Sequence, residues 1–303
     1  MKLDDRLGAL RLLVVTGKGG TGKSVTATAL GRILAARGRR TLLLEVDPRE
    51  NLHHLCGVPP SGGEIVAVAP GLWLQNLKPE AVADWVVEKQ IKVGVVARRI
   101  LKSPVYHRFV EGAPGLTEIA ILGHALRVVR GQLARAPAID TVILDAPATG
   151  HGVFLLTAPR LFVDAIGEGP FAELARQVAD FVSDPAKTGL AVVTLAEEMP
   201  VQEALELRAA LAGKLGREPE LLVANGLYPP APDAGGDQPQ GGDALTRLWH
   251  DRRRVNDKEL ARLAERWRGP RIELPLLPVD AGPELVAALA ELLAGELNAE
   301  DAA

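Results

Sequence analysis

Short runs rich in leucine and β-branched residues recur along this chain, at Leu12–Thr16, Thr41–Val46, Thr141–Leu144, Leu190–Leu195, Leu221–Asn225 and Arg271–Leu274. They do not alternate apolar with polar positions, a pattern that predicts strands covered on both faces. Longer stretches of helical spacing separate them. Together these features predict an α/β fold, a doubly wound and mainly parallel sheet. Two further runs, Glu64–Val68 and Leu72–Leu77, lie close enough in the chain to form an edge hairpin.

Between that hairpin and Thr141 the pattern is helical. Pro79 suits a first helical position, and the run from it reaches Leu101. Ser103-Pro104 and Gly112-Ala113-Pro114-Gly115 interrupt it before Leu116–Leu133 resumes. This predicts a helical insertion at about 79–135, lying over the sheet of a single domain that spans 1–303. The insertion either packs an amphipathic face on the core or forms a partner-binding subdomain; the pattern leaves both open. A second helical block is expected at Leu161–Val182, and another at Ala244–Trp267. The Pro-, Gly- and Asp-rich stretch Pro229–Asp243 is expected to be a flexible loop.

The first strand and the helix after it frame the most informative stretch. Residues 17–24 read Gly-Lys-Gly-Gly-Thr-Gly-Lys-Ser, which satisfies G-x-x-x-x-G-K-[ST] in the strand–loop–helix context that the motif requires. Gly17, Gly19, Gly20 and Gly22 let the main chain approach a phosphate chain with its N–H groups turned inward. Thr21 and Val25 complete the loop and the first turn of a helix whose N-terminus favours anions. Lys23 is placed to neutralise β/γ-phosphates and the Ser24 hydroxyl to hold Mg²⁺.

Other candidates gain meaning from that loop. Asp47 ends the second strand in Glu-Val-Asp-Pro, placed either to orient an attacking water or to start a turn. Asp145 closes Thr-Val-Ile-Leu-Asp, where a carboxylate would support a Mg²⁺ shell. Pro147-Ala-Thr-Gly-His151 follows as a turn suited to sensing a γ-phosphate. Asn225 ends the fifth of the main runs, and its amide can both donate to and accept from an adenine edge. No Asn-Lys-x-Asp follows it, which favours ATP over GTP. Pro275, in Leu274-Pro275-Leu-Leu-Pro278, is a further base-side candidate. His53, His54 and Cys56 are spaced too tightly to aim at one ion from a helix, so ordinary helix residues are expected there.

Composition narrows the setting. The 303 residues are 47% hydrophobic, enough for a sizeable core, and the formal charge of −3 offers no bulk attraction to nucleic acid or anionic membrane. Arg252-Arg253-Arg254 therefore reads as a solvated face. A single cysteine excludes an intramolecular disulfide framework. The residues before Leu12 leave no room for a signal peptide's apolar core, and no run approaches the roughly eighteen apolar residues of a spanning helix. A soluble, cytoplasmic protein without stable membrane insertion is expected.

Lys18, just after the first glycine, makes the loop G-K-G-G-x-G-K-S. Here the chain resembles the "deviant Walker A" ATPases, which include ParA, MinD, the nitrogenase iron protein, the arsenite-pump ATPase and the guided-entry targeting ATPase. Asp47-Pro48 with Asn51-Leu52, Thr149-Gly150-His151, Pro114-Gly115, Ser183–Lys187 and the Glu-Glu-Met-Pro block ending at Pro200 make the resemblance strongest to the arsenite-pump/guided-entry branch. It implies an Mg²⁺-dependent ATPase working as a dimer, with itself or a paralogue, in which Lys18 reaches the partner subunit's nucleotide. Capture of a hydrophobic or membrane-associated protein partner, drive for an arsenite or anion efflux pump, and ParA/MinD-like positioning are the functions it brings. Departures bear on the choice. Arg49 and Glu50 replace the family's usual switch residues, one cysteine cannot build a multi-thiolate arsenite site, and the 229–243 loop lacks a zinc clasp. The acidic tail Pro283–Ala303, without lysine or arginine, argues against MinD-type membrane docking.

Overall fold

A computed structural model describes residues 3–47, 49–90, 98–99, 101–104, 106, 112, 115–146, 152–230 and 244–300. Pro48, the turn 147–151, Pro114 and residues 231–243 of the expected loop lie outside the described residues.

The strands are β1 (Leu12–Thr16), β2 (Thr41–Glu45), β3 (Val66–Ala69), β4 (Leu72–Asn76), β5 (Thr141–Asp145), β6 (Thr188–Leu195), β7 (Leu221–Leu227) and β8 (Arg271–Pro275). They form one sheet in the order β3-β4-β2-β5-β1-β6-β7-β8. Only β3 and β4 pair antiparallel, as the predicted edge hairpin; every other neighbouring pair is parallel. β1, β2 and β5 are buried at every position, because helices cover both sides of the sheet. Side chains alternate between faces accordingly. Leu13 and Val15 enter a core with Ala27, Leu30, Leu43 and Leu293, whereas Leu12 and Val14 join Leu42, Val142, Leu122 and Phe181 on the opposite face.

The helices, in chain order, are α1 (Leu3–Ala9), α2 (Lys23–Ala36), α3 (Leu52–Cys56), α4 (Pro79–Gln90), α5 (Leu116–Val129), α6 (Gly152–Ile166), α7 (Pro170–Ser183), α8 (Glu198–Leu215), α9 (Ala244–Arg266) and α10 (Pro283–Glu300). Two differ from the sequence expectation. α1 precedes β1 and buries Leu3 and Leu7, with Leu10 just beyond it; seven residues are too short a window for helical periodicity to declare itself. The Leu161–Val182 block divides into α6 and α7, because Gly167 (φ 74°) follows α6 in left-handed backbone and Gly169 (φ 117°, ψ 176°) is the N-cap of α7. α4 and α5, within the expected insertion, pack on each other, and Arg127 of α5 lies 3.4 Å from the ring centre of Trp85 on α4. Among the described residues no helix is long and apolar enough to cross a membrane.

Candidate active site

β1 sits at the middle of the sheet, with β5 on one side and β6 on the other. Successive connections diverge there, so its carboxyl end opens into the crevice where ligands bind in such sheets. The chain leaving it turns sharply at Gly17, whose φ is 146°; a β-carbon at that position would stand 2.1 Å from the Val193 carbonyl oxygen. The loop ends at Gly22, the N-cap of α2, with φ 93° and ψ 23°. A β-carbon there would meet Asn225 Nδ2 at 2.2 Å. Both glycines are thus dictated by neighbouring strands as well as by loop curvature.

The loop is braced from inside. Thr21 Oγ1 donates to the Lys18 carbonyl (2.9 Å), and Lys23 Nζ donates to the same oxygen (3.0 Å). Gly19 and Gly20 remain exposed, while Val25 is half-buried in the first turn of α2. Burial lowers the Lys23 ammonium below the usual lysine range, with nearby Asp145 acting in the opposite direction.

Beneath the loop, Ser24 Oγ donates to Asp145 Oδ2 at 2.6 Å. The other carboxylate oxygen, Asp145 Oδ1, is buried with no hydrogen-bond partner among the described residues. Burial pushes this carboxyl up to about 6; the Ser24 bond and the Lys23 charge hold it down, and Asp47 adds to the rise. Lys23, Ser24, Glu45, Asp47, Asn51 and Asp145 line one cavity of about 70 Å³. A hydroxyl, a carboxylate with an unused buried oxygen and an adjacent ammonium form a donor set that fits Mg²⁺ bound to a triphosphate.

Asp47 enters that cavity from a tightly held turn. Its Oδ1 accepts the Arg49 N–H (2.7 Å), while Asn76 clasps its main chain, accepting the Asp47 N–H (3.1 Å) and donating to its carbonyl (2.7 Å). Glu50, with φ 47°, fastens the same segment to the next loop by accepting N–H groups from Ser61 (2.7 Å) and Gly62 (3.2 Å). Asn225 is drawn to the loop rather than left free, for its Nδ2 donates to the Thr21 carbonyl (2.9 Å). Pro275 stands apart. It ends β8, three strands from β1, a lateral distance of about 14 Å at ordinary strand spacing. Lys18 directs its side chain away from the cavity and into an ion pair with Glu203 on α8 (2.6 Å).

Several of these residues had no motif to announce them. Glu45 is buried at the end of β2, and its carboxylate accepts the N–H groups of Asn51 (2.8 Å) and Leu52 (3.2 Å), capping α3. Burial is the main cause that raises it to about 7, with Asp145 and Asp47 adding and the two N–H groups opposing. A lone carboxylate inside an apolar run was the available signal. Asn76 and Glu203 offered none.

Arg252, Arg253 and Arg254 each face a carboxylate, of Glu197, Asp257 and Asp251 respectively. The His53 and His54 rings lie 3.8 Å apart on α3, and among the described residues no group of three or more His, Cys, Asp or Glu could hold a metal ion.

A glycine-bent loop at a helix N-terminus, with lysine, hydroxyl and carboxylate converging below it, defines a phosphate-loop nucleotide site. Residues 10–169 match the family of anion-transporting ATPases, and the chain belongs to that family. It is 33% identical over 220 residues to the ATPase BagA of Mycobacterium tuberculosis, an overlap covering 68% of this chain and 62% of that protein. An arsenical pump-driving ATPase of Escherichia coli is 31% identical over 238 residues, covering 72% of this chain and 39% of the relative. ATPase ASNA1 homolog 2 of Paramecium tetraurelia is 26% identical over 157 residues, half of this chain and 45% of that one. The chain thus spans less than two thirds of the length of these curated relatives.

Proposed function

We propose that this chain is a Mg²⁺-dependent ATPase that works as a nucleotide-gated dimer, with itself or a paralogue, in the cytoplasm, and that binds or targets a hydrophobic or membrane-associated protein partner. The observation that carries the enzymatic part is the convergence of Lys23, Ser24, Asp47 and Asp145 on one cavity under the phosphate loop. Main-chain N–H groups from Gly17, Gly19, Gly20, Thr21, Gly22 and Lys23 cradle the phosphates, and Lys23 offsets charge developing in transfer. Ser24 and Asp145 would hold Mg²⁺, which would supply charge neutralisation for phosphoryl transfer. Asp47 orients the water, released from its Arg49 turn contact. Val25 supports the loop from α2. Asn225 and Pro275 belong to the base side, Asn225 through its side-chain oxygen. Residues 1–303 form one domain, with the insertion at about 79–135 as its partner-binding part. Catalysis then consists of positioning and electrostatics, and closure of the dimer is what ATP controls.

A pump-driving role has one observation in its favour, the similarity to arsenical pump-driving ATPases. Against it stands a single thiol, Cys56, which burial raises to about 11 and so keeps protonated at neutral pH. A ParA/MinD-like positioning role has the phosphate loop alone behind it.

The test is complementation. Lys18→Ala and Asp47→Asn proteins are each nearly inactive on this reading, Asp47→Asn by at least about a hundredfold. A mixed dimer unites an intact Asp47 with the partner's Lys18 at one site, so mixing restores hydrolysis. No recovery despite demonstrated mixed dimers removes the trans role of Lys18. Partner binding is tested by retention of a membrane-protein fraction on Asp47→Asn protein with ATP and its release with ADP.

A further inference from the structure

Lys18 is held in two different ways. Its main-chain carbonyl is the acceptor around which the loop closes, receiving both Thr21 Oγ1 and Lys23 Nζ. Its side chain is turned outward, with Nζ 2.6 Å from Glu203 Oε1, a residue 185 positions away on α8. The pair borders a groove of about 340 Å³ beside the phosphate loop, lined also by Gly17, Val153, Ala204 and Leu207. Thus the signature lysine of the loop is committed to a carboxylate of its own subunit.

We propose that Glu203 is a positioning residue that holds Lys18 in its own subunit until ATP-driven closure exchanges the carboxylate for the partner's phosphates. This rests on the reading above that Lys18 acts across the dimer. With its ammonium turned 2.6 Å onto Glu203, Lys18 points to its own subunit, and on this proposal closure swings it off the carboxylate toward the partner's nucleotide. The two side chains are 35% and 41% exposed, which places the pair among partly screened ion pairs of modest strength. Such a contact delays closure without preventing it: a triphosphate carries more charge than one carboxylate and wins the exchange once two subunits meet. Any interaction that exists only in the open form sets the balance between open and closed forms by its own strength.

The consequence is specific. Glu203→Gln keeps the shape of an exposed helix position and removes the charge. It is expected to lower the protein concentration for half-maximal ATP-driven homodimer formation by about two- to thirtyfold, since each closure releases two surface ion pairs, each a factor of roughly 1.4 to 5. Turnover per closed dimer, measured at saturating protein, stays unchanged. The mixed-dimer design separates this from a general effect on α8. Placed in the Asp47→Asn subunit, which donates the working Lys18, Glu203→Gln shifts the concentration midpoint downward. Placed in the Lys18→Ala subunit, which has no lysine to release, it shifts nothing. A midpoint that is unmoved, raised, or lowered equally in both arrangements overturns the role of Glu203. If Lys18→Ala protein alone closes normally with ATP, the trans role of Lys18 itself falls, and the Glu203 inference with it.

Discussion

Asn225 of β7 donates its side-chain amide to the Thr21 carbonyl at 2.9 Å, and the same nitrogen would lie 2.2 Å from any β-carbon added at Gly22. The phosphate loop is therefore shaped from outside by a strand two places away in the sheet, as well as by its own glycines.

Gly22→Ala is expected to suffer twice, from a φ of 93° that L side chains rarely adopt and from the contact with Asn225. Strain of this kind costs roughly 1–3 kcal/mol, and ATP affinity should fall at least about tenfold. Asn225→Ala in the same background removes the contact but not the strain, so it restores part of the loss. Asn225→Ala alone forfeits one hydrogen bond and weakens ATP binding about two- to tenfold. Calorimetric titration of the four proteins checks the series, and equal affinities would contradict it.

Asp145→Asn keeps an acceptor for Ser24 and the volume of the side chain but removes the charge. In the parent protein, EDTA should abolish turnover and weaken ATP binding. In the variant, metal-free ATP binding stays within about threefold of the parent, since a buried charge facing the phosphates through the metal is what has been lost. Its hydrolysis should respond little to added Mg²⁺. A variant with normal Mg²⁺-stimulated turnover would take Asp145 out of the metal shell.

His124 on α5 is buried, with Nε2 2.7 Å from Gln75 Oε1, and burial foremost, then Arg127, lowers it to about 4. Its folded value lies below the ordinary one, so the neutral ring is favoured by folding. The contribution is complete above pH 6.5 and is lost as pH falls toward 4, because the unfolded chain takes up the proton first. The full difference is about 3 kcal/mol. His124→Gln can still donate to Gln75 and does not titrate. Urea unfolding from pH 7 to 4 should show the parent losing stability relative to the variant. Parallel curves would mean that the fold does not lower His124 below its unfolded value.

Cys56→Ser tests the pump reading. With one thiol, half-buried and held protonated, a multi-thiolate arsenite site cannot assemble, so ATPase activity and its response to arsenite should be the same in parent and variant. Arsenite stimulation of the parent that disappears in Cys56→Ser would revive that function.

Much was determined by the sequence alone, where the physics is local. A strand covered on both faces needs an unbroken apolar run, so Leu12–Thr16, Leu221–Asn225 and their companions were readable one at a time. The phosphate loop was readable because its bends, its helix N-terminus and its lysine and hydroxyl fall within eight consecutive residues, Gly17–Ser24. Family membership followed from the same stretch and the blocks after it.

What the tertiary structure decided was which distant residues meet. Pairing of β2 with β5 sets Glu45 in register with Asp145, bringing two carboxylates to one cavity, where burial raises each. Pairing of β2 with β4 puts Asn76 where it can clasp Asp47, and α8, packed beside β6, delivers Glu203 to Lys18. Even the number of helices between β5 and β6 depended on Gly167 and Gly169, whose positive φ an apolar pattern does not encode. Side-chain periodicity reports which face of an element is buried. It carries no information about the order of strands in a sheet, and that order, fixed by the packing of the whole chain, assembles the site.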